Sequence, residues 1–550
     1  MKVENYLRQV FQERLKQLRL NSDAVSIEFE IPRDTRFGDL ATNFVMVLAQ
    51  KLKQNPRQLA GALLENLELD HAFVASVNMA GPGFINFKLS QTYLQKQLNE
   101  ILQQGAENFG KSTFGKNKKV QIEFVSANPT GPLNVVSARA ASVGDTMINI
   151  FNRVGFTAKS EYYVNDAGRQ VRLLGASVSS RYCELLHVEE AFPEEGYHGD
   201  YVYDIARQII EKYGDKFLAL EQDRRVEELK NISLSMILSE QQKVLEDFGV
   251  HFDKFFRESQ LRAGSTEKEV LDTLTRRGFI YESEGALWFK ASEFGDEKDR
   301  VLVTQTGEPT YFFIDIAYHK NKFDRGFEAV IDLLGPDHHG YIPRMKAALK
   351  ALGIPEEAFD IKLIQQVNLF RDGQFVKMSK RAGQIVSMRE LVDEVGVDAA
   401  RFFFLMRRIS TPLDFDIDLA KKHSDENPVY YIQYAHARIS NILRFGEEKG
   451  VRFNPGCDFS LLVEREEMAL VKKMLEFPDL LIRAARNFEP NALTQYLLEL
   501  AEEFHRFYHE HRVISDDLKL SEARIALSEA VRIVIAIGLK LMGISAPEKM

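Results

Sequence analysis

The spacing of apolar and polar positions divides the chain into stretches of different character. Met1 to Lys16 alternates charged and apolar residues as an amphipathic helix does, without the apolar run of a signal peptide. A loop is predicted around Ile31 to Asp39, a helix from about Ala41 to Lys53 and a closing strand near Gly83 to Leu89, so residues 1–105 read as a small α+β domain. Ala106 to Lys119, rich in Gly, Lys, Asn and Ser, has no apolar period and is the best linker candidate. Beyond it Val120, Ile122 and Phe124 alternate with Gln121 and Glu123, a strand signal, and Asn128-Pro129-Thr130-Gly131-Pro132 ends any regular structure. Val136, Ala140, Val143, Met147, Ile150 and Val154 then recur at helical spacing, with Gly155 where a C-terminal cap belongs. Lys159 to Val164 reads as another strand. Strand, loop, helix, strand is a βαβ unit, whose helix start is expected to offer free backbone N–H groups to a phosphate in the crevice above the sheet.

From about Gly175 to Phe256 the pattern is mostly helical, including Tyr201 to Tyr213 and Val226 to Phe248, and reads as an insertion near 175–256. Strand patterns return at Leu287-Trp288-Phe289, Val301-Leu302-Val303, Ala329 to Leu334 and Ile361 to Leu369, with a helix between the last two. They complete an α/β domain over 119–410. Residues 427–550 read as a separate helical bundle, with apolar faces at Leu461 to Leu480, Leu493 to Tyr508 and Leu518 to Gly543. The longest apolar stretch, Val531 to Ala546, is broken by Arg532 and Lys540 and is too short to span a bilayer, so it is predicted to be a core helix.

Composition narrows the class. A chain of 550 residues needs several cores, and its 45% hydrophobic and 27% charged content is that of a folded soluble protein. A formal net charge of -9 argues against a protein that coats nucleic acid indiscriminately, yet it leaves room for an RNA partner met by cations gathered on one face. Cys183 and Cys457 stand far apart, which points away from a disulfide framework or a cysteine zinc site and fits a reducing compartment. His338 and His339 are adjacent and therefore point apart, so no metal ligand is expected.

Lys377 and Lys380 flank Met378-Ser379 just after the turn Arg371-Asp372-Gly373, which sets two cations on a loop suited to polyphosphate. Alone, that spacing means little. The chain becomes specific at Glu123-Phe124-Val125-Ser126-Ala127-Asn128-Pro129-Thr130-Gly131-Pro132-Leu133, which resembles the opening of the active site in bacterial arginyl-tRNA synthetases, a class I aminoacyl-tRNA synthetase family. Similar segments follow in family order: Glu161 to Gly168, Gly285 to Phe289, Asp315 to His319, Gly335 to Gly340, Lys377 to Lys380, Asn427 to Arg438 and the terminal Ser545 to Met550. The likeness begins at Phe37-Gly38-Asp39 and covers nearly the whole chain.

The resemblance implies an α/β fold with a Rossmann-like class I catalytic domain and helical insertion, an N-terminal α+β tRNA-binding domain and a C-terminal α-helical anticodon-binding bundle. It implies ATP-dependent activation of L-arginine and transfer to tRNA(Arg), in the cytoplasm, by a monomer with neither membrane nor DNA partner. ATP would arrive with Mg2+ as a substrate complex, with no tightly bound cofactor. ATP binding falls on Ala127, Pro129, Thr130, Gly131, Pro132, Leu133, Asn134, Val135, Val136, Ser137, Asp337, His338, Lys377, Met378, Ser379 and Lys380. Among these Lys377, Lys380, Asn134 and Ser137 would be catalytic. Arginine binding falls on Glu123, Asn128, Tyr311 and Asp315, because a planar guanidinium is matched by carboxylates that accept two hydrogen bonds. Asp315 is also read as a surface acid, and Glu123 as an exposed acid of an edge strand, if they serve structure alone. Phe84, Asn86, Tyr430, Tyr431, Tyr434 and Arg438 are the tRNA-binding candidates, although spacings of three or four among the tyrosines also describe a buried stripe.

The chain departs from the family at one place. Where the family has His, an aliphatic residue, Gly, His, this sequence has Asn134-Val135-Val136-Ser137. Asn134 and Ser137 can donate hydrogen bonds but carry no charge, and losing one charge-assisted contact costs about 1.5–3 kcal/mol, a slower enzyme rather than a dead one. The alternative motivated by this loop is a synthetase-derived protein that binds tRNA or arginine with weak or no aminoacylation.

Overall fold

The computed structural model describes residues 2–20, 25–32, 34–376 and 386–550. Its first part packs α1 (Val3–Gln17), α2 (Phe44–Leu52) and α3 (Pro56–Leu64) around a three-stranded antiparallel sheet of β1 (Leu40–Thr42), β2 (Val74–Ala80) and β3 (Phe84–Leu89), in the order β1-β3-β2. The expected helix from Ala41 begins later. Ala41 pairs with Asn86 across β1 and β3 and bridges Glu30, and that pairing takes the residues a helix would have used. Gly38 permits the approach: at φ +92°, its added Cβ would stand 2.5 Å from the Phe87 carbonyl oxygen. After α4 (Gln91–Asn108) the candidate linker is tied down, with Phe109 buried and the Arg153 guanidinium donating to the carbonyls of Ala106, Glu107 and Phe109.

The βαβ unit is present as β4 (Lys119–Glu123), α5 (Val135–Arg153) and β5 (Thr157–Val164). Between β5 and β6 (Lys254–Arg257) the chain runs through α6 (Arg169–Leu185), α7 (Asp200–Tyr213) and α8 (Gln222–Asp247), a helical insertion with its own apolar core around Leu174, Tyr182 and Ile205. Next come α9 (Glu258–Arg262), α10 (Thr266–Arg276), a small antiparallel sheet of β7 (Ile280–Ser283), β8 (Ala286–Phe289) and β9 (Arg300–Val303), and α11 (Tyr311–Asp324). β10 (Ala329–Leu334), α12 (Ile342–Ala351) and β11 (Phe359–Leu363) follow. The main sheet has the order β11-β10-β4-β5-β6 and is parallel throughout. β4 lies at its centre and is covered on both faces, so Gln121 and Glu123 are buried along with Val120 and Ile122, and the alternation does not mark an exposed face.

The run Ile361 to Leu369 is two strands, not one. β11 closes the main sheet, whereas β12 (Val367–Arg371) joins a second sheet with β13 (Gln374–Phe375) and β14 (Leu413–Asp416). Asp372 and Gly373, both at positive φ, make the tight turn between β12 and β13. α13 (Met388–Val395), α14 (Val397–Leu405) and α15 (Ile417–Lys421) lead into α16 (Pro428–Glu448), α17 (Arg465–Leu475), α18 (Phe477–Asn487), α19 (Asn491–Glu510) and α20 (Leu518–Leu541). This helical region packs closely against the α/β domain. One continuous apolar core runs from Phe87 through Phe124 and Met147 to Leu497 and Val534. Among the described residues no helix is long and apolar enough to cross a membrane.

Arg401 pins three regions together. Its side chain on α14 is fully buried, donates to the carbonyls of Phe248 after α8 (3.2 Å) and Met542 after α20 (2.6 Å), and pairs with Asp145 on α5. Replacing a buried, fully partnered guanidinium strands the groups it served. Arg401→Met is expected to lower stability by about 3–5 kcal/mol, measured as the shift in the urea denaturation midpoint followed by circular dichroism.

Candidate active site above the parallel sheet

Glu123 ends the central strand, and its carboxylate is already engaged. Oε2 accepts from the Tyr318 hydroxyl (2.8 Å) and Lys322 Nζ (2.6 Å), and Oε1 accepts from Ser126 Oγ (2.8 Å). Lys322 has no solvent exposure and also donates to Asp332 Oδ1 on β10 (2.8 Å), while His319 Nε2 lies 2.6 Å from Asp332 Oδ2. On the other side Tyr318 reaches Glu161 (2.7 Å), whose two oxygens receive the Arg325 guanidinium. Tyr318 has one hydroxyl proton for two carboxylates. Burial raises the Glu123 carboxyl above its ordinary value against the pull of Lys322, so Glu123 is the first of the pair to take up a proton as pH falls. Burial also opposes ionisation of Glu161, but Arg325 and Lys322 hold it below the usual range. For His319 burial alone favours the neutral ring; Asp332 overrides it and raises the imidazole to about 10.

The backbone turns sharply after Glu123. Val125 (φ 67°) and Ser126 (φ 37°) both adopt positive φ, a conformation that costs a β-branched residue about 1–3 kcal/mol. Neighbouring side chains impose it. Ser126 Oγ is held between Glu123 and the Tyr163 amide, the Tyr162 hydroxyl donates to the Ala127 carbonyl, Gln241 donates to the carbonyls of Asn128 and Gly131, and Tyr201 donates to that of Thr130. Gln241 and Tyr201 belong to the insertion, which thereby shapes the loop over the sheet.

That loop delivers the chain to α5, and here an expectation fails. The first-turn amides of Val136 and Ser137 are not free: both donate to Asn134 Oδ1 at 3.0 Å, and the Ser137 hydroxyl donates to the same oxygen at 3.3 Å. Asparagine is among the strongest N-cap residues because its carbonyl oxygen reaches back to these orphan donors. Among the described residues the Asn134 amide protons have no partner, whereas the Ser137 hydroxyl proton is directed at Asn134 Oδ1. Asn134 also bridges Ser387, and the Met388 amide donates to the Leu133 carbonyl, so the chain re-enters beside the helix start after residues 377–385. Lys377, Met378, Ser379 and Lys380 lie outside the described residues.

Tyr311 and Asp315 share one side of α11, one turn apart. Tyr311 is 67% exposed, with its hydroxyl over Gly168; Asp315 is half-buried, with Oδ2 accepting from the Tyr341 hydroxyl and Oδ1 3.4 Å from His319 Nδ1. Asn128 is exposed and donates to Gln170 (2.8 Å). Asp337 and His338 are exposed in the turn Pro336–Tyr341 that follows β10. Neither surface-acid alternative holds in full: Glu123 is a buried central-strand residue, and Asp315 is a half-buried acid engaged by Tyr341 and His319. Lys322, Asp332, Glu161 and Tyr341 were not found from sequence. A signal existed for Lys322, because Asp315, His319 and Lys322 at spacings of four and three fall on one side of a helix.

On the helical region, Tyr430, Tyr431, Tyr434 and Arg438 are half-buried rather than a sealed core. Tyr430 stacks on Tyr434, the Arg438 guanidinium lies 4.4 Å from the Tyr434 ring and 5.0 Å from that of Tyr508, and His505 joins from α19. His436 is buried, with Nδ1 bonded to the Pro547 carbonyl. Half-buried Phe84 and buried Asn86 sit on β3, and Asn86 lines a groove of about 1920 Å³ between the N-terminal sheet and α17 and α19.

Family models match three stretches: the arginyl tRNA synthetase N terminal domain over residues 5–89, the class I (R) tRNA synthetase catalytic domain over 97–405 and the DALR anticodon binding domain over 432–550. An arginine–tRNA ligase of Carboxydothermus hydrogenoformans is 48% identical over 530 residues, covering 96% of this chain and 95% of the relative. One from Geobacillus kaustophilus is 45% identical, with both chains covered in full. The solved arginyl-tRNA synthetase of Thermus thermophilus superposes with a TM-score of 0.79 at 22% identity over 100% of both chains, a likeness of fold.

Two outcomes follow from the site's chemistry. Asn134→Ala should cost about 1 kcal/mol through loss of the cap, while Asn134→Asp, which retains the accepting oxygen, should hold the denaturation midpoint. Because His319 is raised from 6.5 to about 10 in the folded chain, its stabilisation is whole below the unfolded value and is lost as pH rises through the folded one. The melting-temperature gap between the native chain and His319→Phe should therefore be widest near neutral or lower pH and narrow as pH approaches about 10.

Proposed function

This chain belongs to the class I arginyl-tRNA synthetase family, and from that membership we propose how its residues carry out the reaction. It is an arginine–tRNA ligase, an enzyme of protein biosynthesis that acts on arginine, ATP and tRNA. Identity of 45–48% to arginine–tRNA ligases along almost the whole chain disfavours the binding-only alternative. A cytoplasmic location accords with two free cysteines.

In our reading the arginine guanidinium enters between α11 and the loop after β4. The observation that carries it is Asp315: a half-exposed carboxylate at the cleft, next to a buried network in which the other acids already hold cations. Arginine would displace the Tyr341 hydroxyl from one Asp315 oxygen, with Tyr311 and Asn128 bounding the pocket and the engaged Glu123 forming its floor. ATP would lie across the start of α5, its adenosine near Asp337 and His338 and its phosphates near the amide protons of Asn134. Lys377 and Lys380 would offset charge on the α-phosphate and the leaving pyrophosphate. Magnesium would arrive on the triphosphate, held mainly by phosphate oxygens and water. The arginine carboxylate attacks the α-phosphate in line and expels pyrophosphate, and a ribose hydroxyl of the terminal adenosine of tRNA then takes the arginyl group from the adenylate, releasing AMP. Tyr434, Arg438 and their aromatic neighbours offer stacking and phosphate contact to the RNA, with Phe84 and Asn86 a second contact.

Charging of total tRNA with labelled arginine tests the activity, and the absence of charging by folded protein would overturn it. Asp315→Asn should lower kcat/KM for arginine by about 10- to 150-fold, the loss of one charge-assisted pair, chiefly through KM. An unchanged KM would remove Asp315 from the pocket.

A further inference from the structure

His319 is 3% exposed and lies beneath the candidate arginine pocket, touching neither the cleft nor any group that reacts. One ring nitrogen faces Asp332 Oδ2 at 2.6 Å. The other, Nδ1, stands 2.7 Å from the Asp315 backbone carbonyl and 3.4 Å from its Oδ1. The edge of the ring packs on Phe359 of β11, and Lys322, one turn along α11, draws Asp332 from its second oxygen. The Asp315 carboxylate thus has one oxygen at ion-pair distance from this ring, while the other accepts from the Tyr341 hydroxyl.

We propose that His319 is a positioning residue for arginine: anchored by Asp332, its ring fixes the rotamer of Asp315 so that the outer oxygen meets the guanidinium. The anchoring chain Asp332, His319, Asp315 runs from the central sheet into the pocket, so the acceptor is aligned before the substrate arrives and little ordering is needed on binding. Two hydrogen bonds define the arrangement. With Asp332 accepting at Nε2, the Nδ1–H donates to the Asp315 backbone carbonyl, and the ring, whose raised basicity keeps both nitrogens protonated at neutral pH, attracts Asp315 Oδ1 as an ion pair at 3.4 Å. The proposal rests on Asp315 being the guanidinium acceptor.

Two isosteres divide the ring's functions, since a Gln amide reaches the place of Nε2 and an Asn amide that of Nδ1. His319→Gln keeps the contact with Asp332 and gives up that with Asp315; His319→Asn does the reverse. Steady-state aminoacylation with each, alongside Asp315→Asn, is the test. We expect His319→Gln to raise the arginine KM about tenfold with the ATP KM within about twofold, and His319→Asn to recover much of the loss. If Asp315→Asn raises the arginine KM but His319→Gln leaves it unchanged, the positioning role is refuted while the Asp315 reading stands. A fall in kcat with both KM values moving alike would mark a scaffold residue and also refute it. If Asp315→Asn leaves the arginine KM alone, the parent reading falls and takes this one with it. Should the variants not fold, ring-nitrogen NMR of histidine-labelled native protein decides: a His319 shift on adding arginine but not ATP supports the proposal, and invariance overturns it.

Discussion

An ammonium group with no solvent exposure sits between two carboxylates at the heart of this molecule. Lys322 reaches Glu123 at the end of β4 and Asp332 on β10, and so ties α11 to the two central strands of the parallel sheet. Neither acid nor base could be left in that place alone, because the cost of an unpaired buried charge exceeds most single interactions in a protein. The pairing therefore fixes the height and rotation of α11 over the sheet. Asp315 and Tyr311 inherit their positions from it, about two and three turns nearer the helix start.

The same rigidity explains why a strained loop can persist beside the pocket. Val125 and Ser126 adopt backbone angles that neither favours, yet Ser126 is bonded to Glu123, and the following carbonyls are taken by Tyr162, Gln241 and Tyr201. Two of those donors come from the helical insertion. The insertion is thus part of the site's construction, acting through backbone contacts rather than by presenting a side chain to substrate. Arg401 adds a second long-range tie, joining the end of the insertion to the last helix.

At the start of α5 the unusual Asn134-Val135-Val136-Ser137 sequence has a physical logic of its own. Asn134 satisfies two first-turn amides that a histidine would leave open, so the helix begins firmly without a ligand. The cost falls on anion binding, since those amides are no longer free. Among the described residues the side-chain amide of Asn134 is left as a neutral donor, on a residue that bridges Ser387 just after the dibasic segment.

Local pattern was enough for much of this. Apolar spacing determined the βαβ unit, the long helices α7 and α8, the strand β10 and the helical C-terminal region from residue 427, because those signals depend on which face of a single element meets a core. Tyr311 and Asp315 are four apart in sequence, but only the folding of that stretch as α11 sets them one turn apart on one side. Pattern could not tell that Ile361 to Leu369 serves two sheets, that the C-terminal helical region shares its core with the catalytic sheet, or that Glu123 lies in a central strand, since strand order and docking are decided by residues hundreds of positions apart. The charge network was hidden for the same reason: Glu123, Lys322 and Asp332 are ordinary polar residues in the sequence, and only burial in one place obliges them to pair. Asn134 marks the boundary between the two kinds of knowledge. Its departure from the family was visible in the sequence, but whether its side chain turned outward to a phosphate or back onto its own helix was settled by the folded backbone, which holds the orphan amides within reach.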